Sequence, residues 1–239
     1  MAADPPCYLP GFRQREDRIV SRVVVVGASQ QARQTIDAID QRGADTVVGL
    51  VDDATDVASE LGGYPVLGRI DDLPALIGSH HLEAAIVTIG DNWTRGLVVE
   101  RIAARCPTLA FATAVHPSAQ IGARTIVGPG TVIMAGVVIN NDGVIGEHAF
   151  FATSSSLDHD GRMGPFASLA PHVATGGSVE IGAFTAVGIG AAVVHGVTIG
   201  AHTVVGAGST VLSDLPASVV AYGTPARVVR SRAEGERYL

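Results

Sequence analysis

From residue 115 to residue 211 the sequence repeats with a period of six, and no other feature restricts the fold as strongly. Sixteen of the seventeen residues at this spacing are aliphatic or aromatic, and only Thr175 breaks the series. The residue two places before each is small or β-branched, and glycine often follows. This pattern is typical of a parallel β-helix built from hexapeptides. The series is Val115, Ile121, Val127, Ile133, Ile139, Ile145, Phe151, Leu157, Met163, Leu169, Thr175, Ile181, Val187, Val193, Ile199, Val205 and Val211.

Such a helix is a three-sided prism, because three hexapeptides complete one coil. Residues 18 apart should therefore stack at one strand spacing of about 4.8 Å, and the series predicts about five coils. Each coil covers its neighbours, and the interior is too narrow to hold a ligand. We therefore expect function on the outer surface of the prism or between subunits.

The sequence before the repeat alternates apolar runs with helical spacing, as in residues 32–39, and indicates a small α/β unit with a parallel sheet. Ligands of such sheets bind beyond the carboxyl ends of the strands, where glycine and acidic residues occur here. The predicted strands and the residues that follow them are 23–26 with Gly27, 46–51 with Asp52 and Asp53, and 84–89 with Gly90.

The composition excludes several classes of protein. With 47% hydrophobic and 16% charged residues, the chain can bury enough apolar surface to fold. The net charge of −7 argues against nucleic acid or an anionic membrane as a partner, because both require a basic surface. Cys7 and Cys106 form no disulfide framework, and neither a signal peptide nor a long apolar span is evident. These features predict a cytoplasmic protein.

Six short motifs occur in a fixed order between residues 20 and 230. They are VGASQQ at 26–31, DD at 52–53, GYPVLG at 63–68, IGDNWTR at 89–95, LDHD at 157–160 and GTPAR at 223–227. In this order they resemble the motifs of the bacterial sialic-acid O-acetyltransferases and nucleotide-aminosugar N-acetyltransferases, the family of the NeuD and PglD enzymes. The resemblance departs from the family pattern at Gln30 and Gln31, where the family has Gly-His.

The resemblance implies a Rossmann-like domain that binds a nucleotide sugar, followed by a left-handed β-helix with acyltransferase activity. It predicts acetyl-CoA as co-substrate, transfer to the amino group of a nucleotide-linked amino sugar, and a homotrimer. O-acetylation of a sugar hydroxyl remains the alternative. The expected segments are a mobile extension at residues 1–18, the Rossmann-like domain at 19–112, the β-helix domain at 113–230 and a tail at 231–239.

His159 is the candidate general base. Acyl transfer from a thioester needs a base for the attacking group and donors for the developing oxyanion. An imidazole is neutral at cytoplasmic pH, and a carboxylate beside it can fix its tautomer. Asp158 and Asp160 both flank His159, and the resemblance favours Asp160. A solvated turn is the alternative interpretation of this segment.

The resemblance also implies four residues on the acetyl-CoA side. Gly177, eighteen residues after His159, would present a backbone N–H to the thioester oxygen. Ser168 stands where some relatives have a second histidine near the acetyl donor. Ile189 and Ala207, in coils further along, match positions where the backbone meets the pantetheine and nucleotide of CoA. A plain turn is the alternative for Gly177, and packing between coils is the alternative for Ile189 and Ala207.

In the α/β unit, the turn after the first predicted strand is a candidate for binding diphosphate with free helix N–H groups. Gly27, Ser29, Gln30 and Gln31 form this turn. Asp52 and Asp53 are candidate acceptors for a base or ribose, and Gly90 permits close approach. A solvated loop is the alternative for the two aspartates, and Arg95 is a candidate surface residue of a helix.

The sequence disfavours three other functions. The histidines His148, His172, His195 and His202 lack the paired spacing of the zinc ligands in hexapeptide-repeat carbonic anhydrases, so no metal is predicted. A dehydrogenase is disfavoured because the glycine signature after the first strand is incomplete. A scaffold without activity is disfavoured by the pairing of His159 with Asp160.

Overall fold

A computed structural model describes residues 21–238 of the 239-residue chain. The predicted N-terminal extension and Cys7 lie outside the described residues. Within residues 21–238, no helix is long and apolar enough to cross a membrane.

The first unit is a six-stranded sheet with three helices, as the alternation of apolar runs predicts. The strands are β1 (Ser21–Val26), β2 (Asp45–Val51), β3 (Glu60–Leu61), β4 (Tyr64–Gly68), β5 (Ala84–Val87) and β6 (Ala110–Phe111), in the order β3-β4-β2-β1-β5-β6. The helices are α1 (Gln30–Arg42), α2 (Leu73–His80) and α3 (Asn92–Arg105), with a 3-10 turn at Ile70–Asp72. All pairs are parallel except β3 with β4. The four valines of β1 are fully buried because the sheet is covered on both faces.

The boundaries of two predicted elements differ from the sequence expectation. Helix α1 extends beyond residues 32–39 and ends where Gly43 adopts a left-handed conformation, with φ of 64°. Strand β5 ends at Val87 rather than at residue 89. The chain leaves the sheet there to begin α3, whose first turn is capped by Asp91 accepting a hydrogen bond from the Thr94 N–H at 2.9 Å.

The second unit is a β-helix of seventeen two-residue strands, which confirms the predicted fold class. The second residue of each strand is the predicted inward residue of its hexapeptide. The strands are β7 (Ala114–Val115), β8 (Gln120–Ile121), β9 (Ile126–Val127), β10 (Val132–Ile133), β11 (Val138–Ile139), β12 (Val144–Ile145), β13 (Phe150–Phe151), β14 (Ser156–Leu157), β15 (Arg162–Met163), β16 (Ser168–Leu169), β17 (Ala174–Thr175), β18 (Glu180–Ile181), β19 (Ala186–Val187), β20 (Ala192–Val193), β21 (Thr198–Ile199), β22 (Val204–Val205) and β23 (Thr210–Val211). An antiparallel pair, β24 (Val219–Gly223) and β25 (Ala226–Ser231), follows the last coil.

Parallel pairing between residues 18 apart builds three faces. Face 1 has the order β25-β24-β22-β19-β16-β13-β10-β7, face 2 the order β23-β20-β17-β14-β11-β8, and face 3 the order β21-β18-β15-β12-β9. We call the turns after face 1 the cavity corner (residues 170–173, 188–191 and 206–209). The turns after face 2 are the open corner (158–161, 176–179 and 194–197), and those after face 3 are the junction corner (146–149, 164–167, 182–185 and 200–203).

The α/β unit packs on the junction corner through α3. Four stacked rings, one from each successive coil, form an aromatic ladder there: His148, Phe166, Phe184 and His202, with centroids 4.8–5.2 Å apart. A Cβ on Gly96 of α3 would lie 2.8 Å from the Phe184 ring, so glycine permits this close approach. Trp93 of α3 contacts the same ring, with centroids 5.5 Å apart.

Arg95 fixes this junction. Its side chain is only 2% exposed, and it donates hydrogen bonds to the carbonyl oxygens of His148, Phe166, Ile89 and Gly90 and to Oδ1 of Asn92. Burial lowers its pKa to about 10, so the guanidinium remains charged at neutral pH. The interpretation of Arg95 as a surface residue is therefore wrong, because α3 presents it to the prism rather than to water.

Candidate active site

His159 lies at the open corner, where the turn after β14 exposes the imidazole to solvent. Its Nδ1 is 2.8 Å from Oδ2 of Asp160. Asp158 makes no hydrogen bond to the ring, and its Oδ1 accepts hydrogen bonds from the His159 backbone N–H at 2.7 Å and from Nδ2 of Asn140 at 2.5 Å. Of the two candidate carboxylates, only Asp160 contacts the imidazole ring.

Both aspartates raise the pKa of the His159 imidazole, Asp160 mainly through its hydrogen bond and Asp158 through its charge. The hydrogen bond to Asp160 is the main cause that raises the pKa of the His159 imidazole above its ordinary value. The hydrogen bond from Asn140 is the main cause that lowers the pKa of the Asp158 carboxyl. Because Nδ1 faces Asp160, Nε2 is the ring nitrogen left for proton transfer.

Gly177 lies one coil beyond His159, directly beside the imidazole. A Cβ on Gly177 would collide with Cε1 and Nε2 of His159, so a larger residue there would have to displace the imidazole. Within the described residues, no acceptor takes a hydrogen bond from the Gly177 backbone N–H. The structure therefore brings an available N–H donor next to the nitrogen of the candidate base.

A cavity of about 440 Å³ lies between the prism and the α/β unit, and its walls are mostly apolar. Three predicted acetyl-CoA residues (Ser168, Ile189 and Ala207) and two predicted sugar-side residues (Gln31 and Gly90) line it. The structure thus brings together five of the predicted site residues at one place. His159, Asp160 and Gly177 do not line this cavity.

Ile189 and Ala207 stack on each other at the cavity corner, and Ile189 is 58% exposed. The Gly208 N–H donates to the Ile189 carbonyl at 2.8 Å, which fixes these two turns. They lie at a different corner from Gly177. Ile189 follows Gly177 by twelve residues, two hexapeptides, so the chain has moved on by two faces.

Asp52 closes the turn after β1. Its carboxylate accepts hydrogen bonds from the backbone N–H groups of Ala28, Ala54 and Thr55 at 2.7–2.9 Å. Burial acts to raise the pKa of this carboxyl, but these donors outweigh it and hold the pKa below its ordinary value. Gly27, with φ of 100°, begins the turn, where a Cβ would lie 3.2 Å from Oγ1 of Thr88.

The other sugar-side residues have partners within the α/β unit. Asp53 forms an ion pair with Arg101 at 2.6 Å and accepts a hydrogen bond from the Ile70 N–H at 3.1 Å. Ser29 Oγ is 3.5 Å from the Thr88 carbonyl, and the exposed Gln30 accepts a weak hydrogen bond from Arg33 at 3.4 Å. A ligand on Asp53 would compete with Arg101. The binding roles of these residues remain predictions.

Sequence reasoning missed Tyr238, which lines the cavity. Its hydroxyl lies 3.3 Å from the Asn92 N–H and 3.5 Å from the Gly90 carbonyl. The residues after 231 thus fold back onto the α/β unit rather than leaving it. An aromatic residue in a polar C-terminal segment was the only signal for this contact.

Among the described residues, no group of three or more His, Cys, Asp or Glu side chains is close enough to hold a metal ion.

Comparisons with known proteins match this two-unit fold. Residues 22–102 match the model of the PglD N-terminal domain. A mutant perosamine N-acetyltransferase from Caulobacter crescentus, solved with CoA and GDP-perosamine, is 37% identical with a TM-score of 0.82, over 88% of this chain and 97% of that chain. The acetyltransferase domain of PglB from Neisseria gonorrhoeae, solved with acetyl coenzyme A, is 26% identical with a TM-score of 0.81, over 88% and 100%. No curated protein sequence matches the chain.

The fold and the site define a β-helical acyltransferase with an N-terminal α/β unit. Identity of 37% over nearly the whole length of a solved acetyltransferase places the chain within a family. The chain belongs to the PglD/NeuD family of sugar acyltransferases.

Proposed function

We propose that this enzyme transfers the acetyl group of acetyl-CoA to the amino group of a nucleotide-linked amino sugar, with His159 as general base. GDP-perosamine is the first acceptor to test, because a protein 37% identical to this one was solved with that ligand and CoA. The names of the relatives are those of N-acetyltransferases or acetyltransferases, and none favours transfer to a hydroxyl. The observation that carries the proposal is His159, oriented by Asp160 and packed against Gly177.

The chemistry follows from this arrangement. The neutral sugar amine attacks the thioester carbonyl carbon, and Nε2 of His159 takes the proton that the nitrogen loses. The tetrahedral intermediate then breaks its C–S bond, and the CoA thiolate takes up a proton as the amide forms. Asp160 stabilises the imidazolium that exists between these steps.

The Gly177 N–H is the donor for the oxyanion of the tetrahedral intermediate. Donors of this kind act strongly when they are already in place, because no reorganisation is needed as charge develops. The rigid coil holds Gly177 by a hydrogen bond from the Gly196 N–H to the Gly177 carbonyl at 2.9 Å. Its own N–H is left for the substrate.

The cavity supports binding of both substrates. Its apolar wall, with Ile189 and Ala207, suits the pantetheine chain of acetyl-CoA, and Ser168 offers a hydroxyl near the thioester. Its opposite wall, with Gln31 and Gly90, belongs to the α/β unit, which we assign to residues 19–112. Gly27, Ser29, Gln30, Asp52 and Asp53 surround the carboxyl ends of the strands, where the nucleotide of the sugar would bind.

Within one chain, the base lies at the open corner and the cavity at another corner. A homotrimer in which the open corner of one prism faces the cavity corner of the next would bring the two together. The third corner is already covered by α3. We therefore assign both catalysis and assembly to the β-helix, residues 113–230. Sedimentation of the full chain should report three subunits.

The test is release of the CoA thiol from acetyl-CoA in the presence of GDP-perosamine. His159→Asn should lower kcat by about 100-fold or more, the usual scale for a positioned base. His116→Asn, in the first turn of the β-helix, is the matched control and should retain the parental rate. Parental kcat in His159→Asn would remove His159 from the mechanism. Activity confined to UDP- or dTDP-aminosugars, or to a hydroxyl acceptor, would replace the substrate assignment.

A further inference from the structure

One turn of the prism departs from a hydrogen bond that the other turns share. The residue after each inward residue donates its backbone N–H to the carbonyl of the inward residue one coil further on. From His116 to Val194 thirteen turns do so, at 2.7–3.0 Å. Asp158 is the exception in the described part of the prism, and its N–H donates to the side-chain Oγ1 of Thr175 at 3.1 Å.

The strand pairing shows the same departure. Strands β14 and β17 pair only through Ser156 and Ala174, whereas the neighbouring pairs also join their inward residues. The regular ladder is therefore interrupted where Leu157 faces Thr175. This is the coil boundary that carries His159.

Thr175 is also the one residue that interrupts the apolar series of inward positions. It is 8% exposed, and a buried hydroxyl without a partner costs about 1–3 kcal/mol. Valine has nearly the same shape and would continue the repeat. Packing of the prism therefore does not require the hydroxyl. Its one hydrogen-bond partner in the described chain is the Asp158 N–H.

The contacts of Asp158 connect this hydroxyl to the base. The Asp158 backbone N–H donates to Thr175 Oγ1, and the Asp158 carboxylate accepts a hydrogen bond from the His159 backbone N–H. The imidazole lies against Gly177, because a methyl group there would overlap Nε2. A shift of the turn at residues 157–160 therefore changes the position of Nε2 relative to the Gly177 N–H.

We propose that Thr175 is a positioning residue, which replaces a ladder hydrogen bond by a side-chain one and so places the His159 turn for proton transfer. The inference rests on the proposed role of His159. A valine would return the Asp158 N–H to the ordinary ladder acceptor, the carbonyl of residue 175. The prism would become more regular, and the base would leave its working position.

The experiment compares Thr175→Val with Thr175→Ser, using acetyl-CoA and GDP-perosamine as probes. Thr175→Val should melt at or above the parental temperature and lose about tenfold in kcat, since misplacement of a reacting group by a fraction of an ångström is costly. Both KM values should stay within about twofold, because Thr175 occupies an inward position and is 8% exposed. Thr175→Ser keeps the hydroxyl and should recover most of kcat.

Thr131→Val is the matched control. Thr131 is fully buried, and its hydroxyl donates to the Gly146 carbonyl at 3.1 Å away from the open corner. This variant should lose stability and keep kcat. Parental kcat in Thr175→Val, an unfolded Thr175→Val protein, or an equal loss of kcat in Thr131→Val would each overturn the inference. If His159→Asn lowers kcat while Thr175→Val does not, only the role of Thr175 fails. Parental kcat in His159→Asn removes the proposed base itself.

Discussion

The junction corner and the open corner of the prism are built from the same hexapeptide, yet they place histidines in opposite environments. At the junction corner, His148 is 2% exposed, stacks on the Phe166 ring and meets the Phe111 ring edge-on. At the open corner, His159 is in solvent beside Asp160. Both residues occupy turns of the same repeat, so the repeat itself does not set their chemistry.

The difference is in what covers each corner. Burial, with a smaller contribution from the charge of Arg95, lowers the pKa of His148 to about 4. The hydrogen bond to Asp160 raises the pKa of His159. A corner covered by α3 therefore holds a neutral structural ring, and an uncovered corner holds a ring that takes up protons. Three changes test how far this contrast extends.

Weakening the contact between α3 and the junction corner should have the largest effect, and that effect is on stability. Arg95→Met leaves four carbonyl oxygens and Asn92 Oδ1 without their donor, and we expect a loss of about 3 kcal/mol or more in unfolding free energy. Trp93, the one tryptophan of the chain, reports on this junction through its contact with Phe184. Denaturant unfolding should show the tryptophan fluorescence change before the circular dichroism of the β-helix.

Arg101→Met is the control on the same helix. Arg101 pairs with Asp53 and Asp71 at a partly exposed site, and such pairs contribute at most about 1 kcal/mol. Equal losses in the two variants, or coincident transitions in Arg95→Met, would show that Arg95 does not hold the junction separately from the rest of the fold.

The second test concerns the buried histidine. Because its folded pKa of about 4 lies below the ordinary value of 6.5, the unfolded chain binds the proton first as pH falls. The contribution of neutral His148 to the free energy of unfolding is fully present above pH 6.5. About 3 kcal/mol of it is lost as the pH falls to 4. His148→Phe, which continues the aromatic ladder, should remove this loss. Parallel stability curves for the parent and the variant from pH 7 to pH 4 would contradict the effect of burial.

The prism was predictable in detail because its contacts are periodic. Each inward residue meets the residue 18 places away, so one period fixes fold, register and core together. The same rule, applied to turns, placed Gly177 beside His159. The same rule places Ile189 at a different corner from Gly177, because the two residues are twelve rather than eighteen positions apart.

The junction was not predictable, because its contacts follow no period. Arg95 reaches carbonyls 53 and 71 residues away in the sequence, and Tyr238 contacts residues nearly 150 positions earlier. Propensity makes Arg95 a solvent-facing helix residue, and only packing against the prism overrides this. Asp53 shows the same limit, since its pairing with Arg101 on α3 depends on how the helix lies on the sheet.

The smallest expected effect tests the open corner. Asp160→Asn keeps the left-handed backbone, with φ of 58°, that asparagine tolerates, but it removes the charge that favours the imidazolium. We expect kcat to fall by about tenfold, because the ring loses orientation and basicity while it stays in solvent. The acidic midpoint of kcat/KM should move down towards pH 6.5, since the imidazole then loses its proton at lower pH. Asp142→Asn, one coil away and paired with Arg124, is the matched control and should change neither quantity. Asp158 and His195 face the imidazole unchanged in both variants. A midpoint that stays in place in Asp160→Asn would show that the hydrogen bond to Asp160 does not set the pKa of the His159 imidazole.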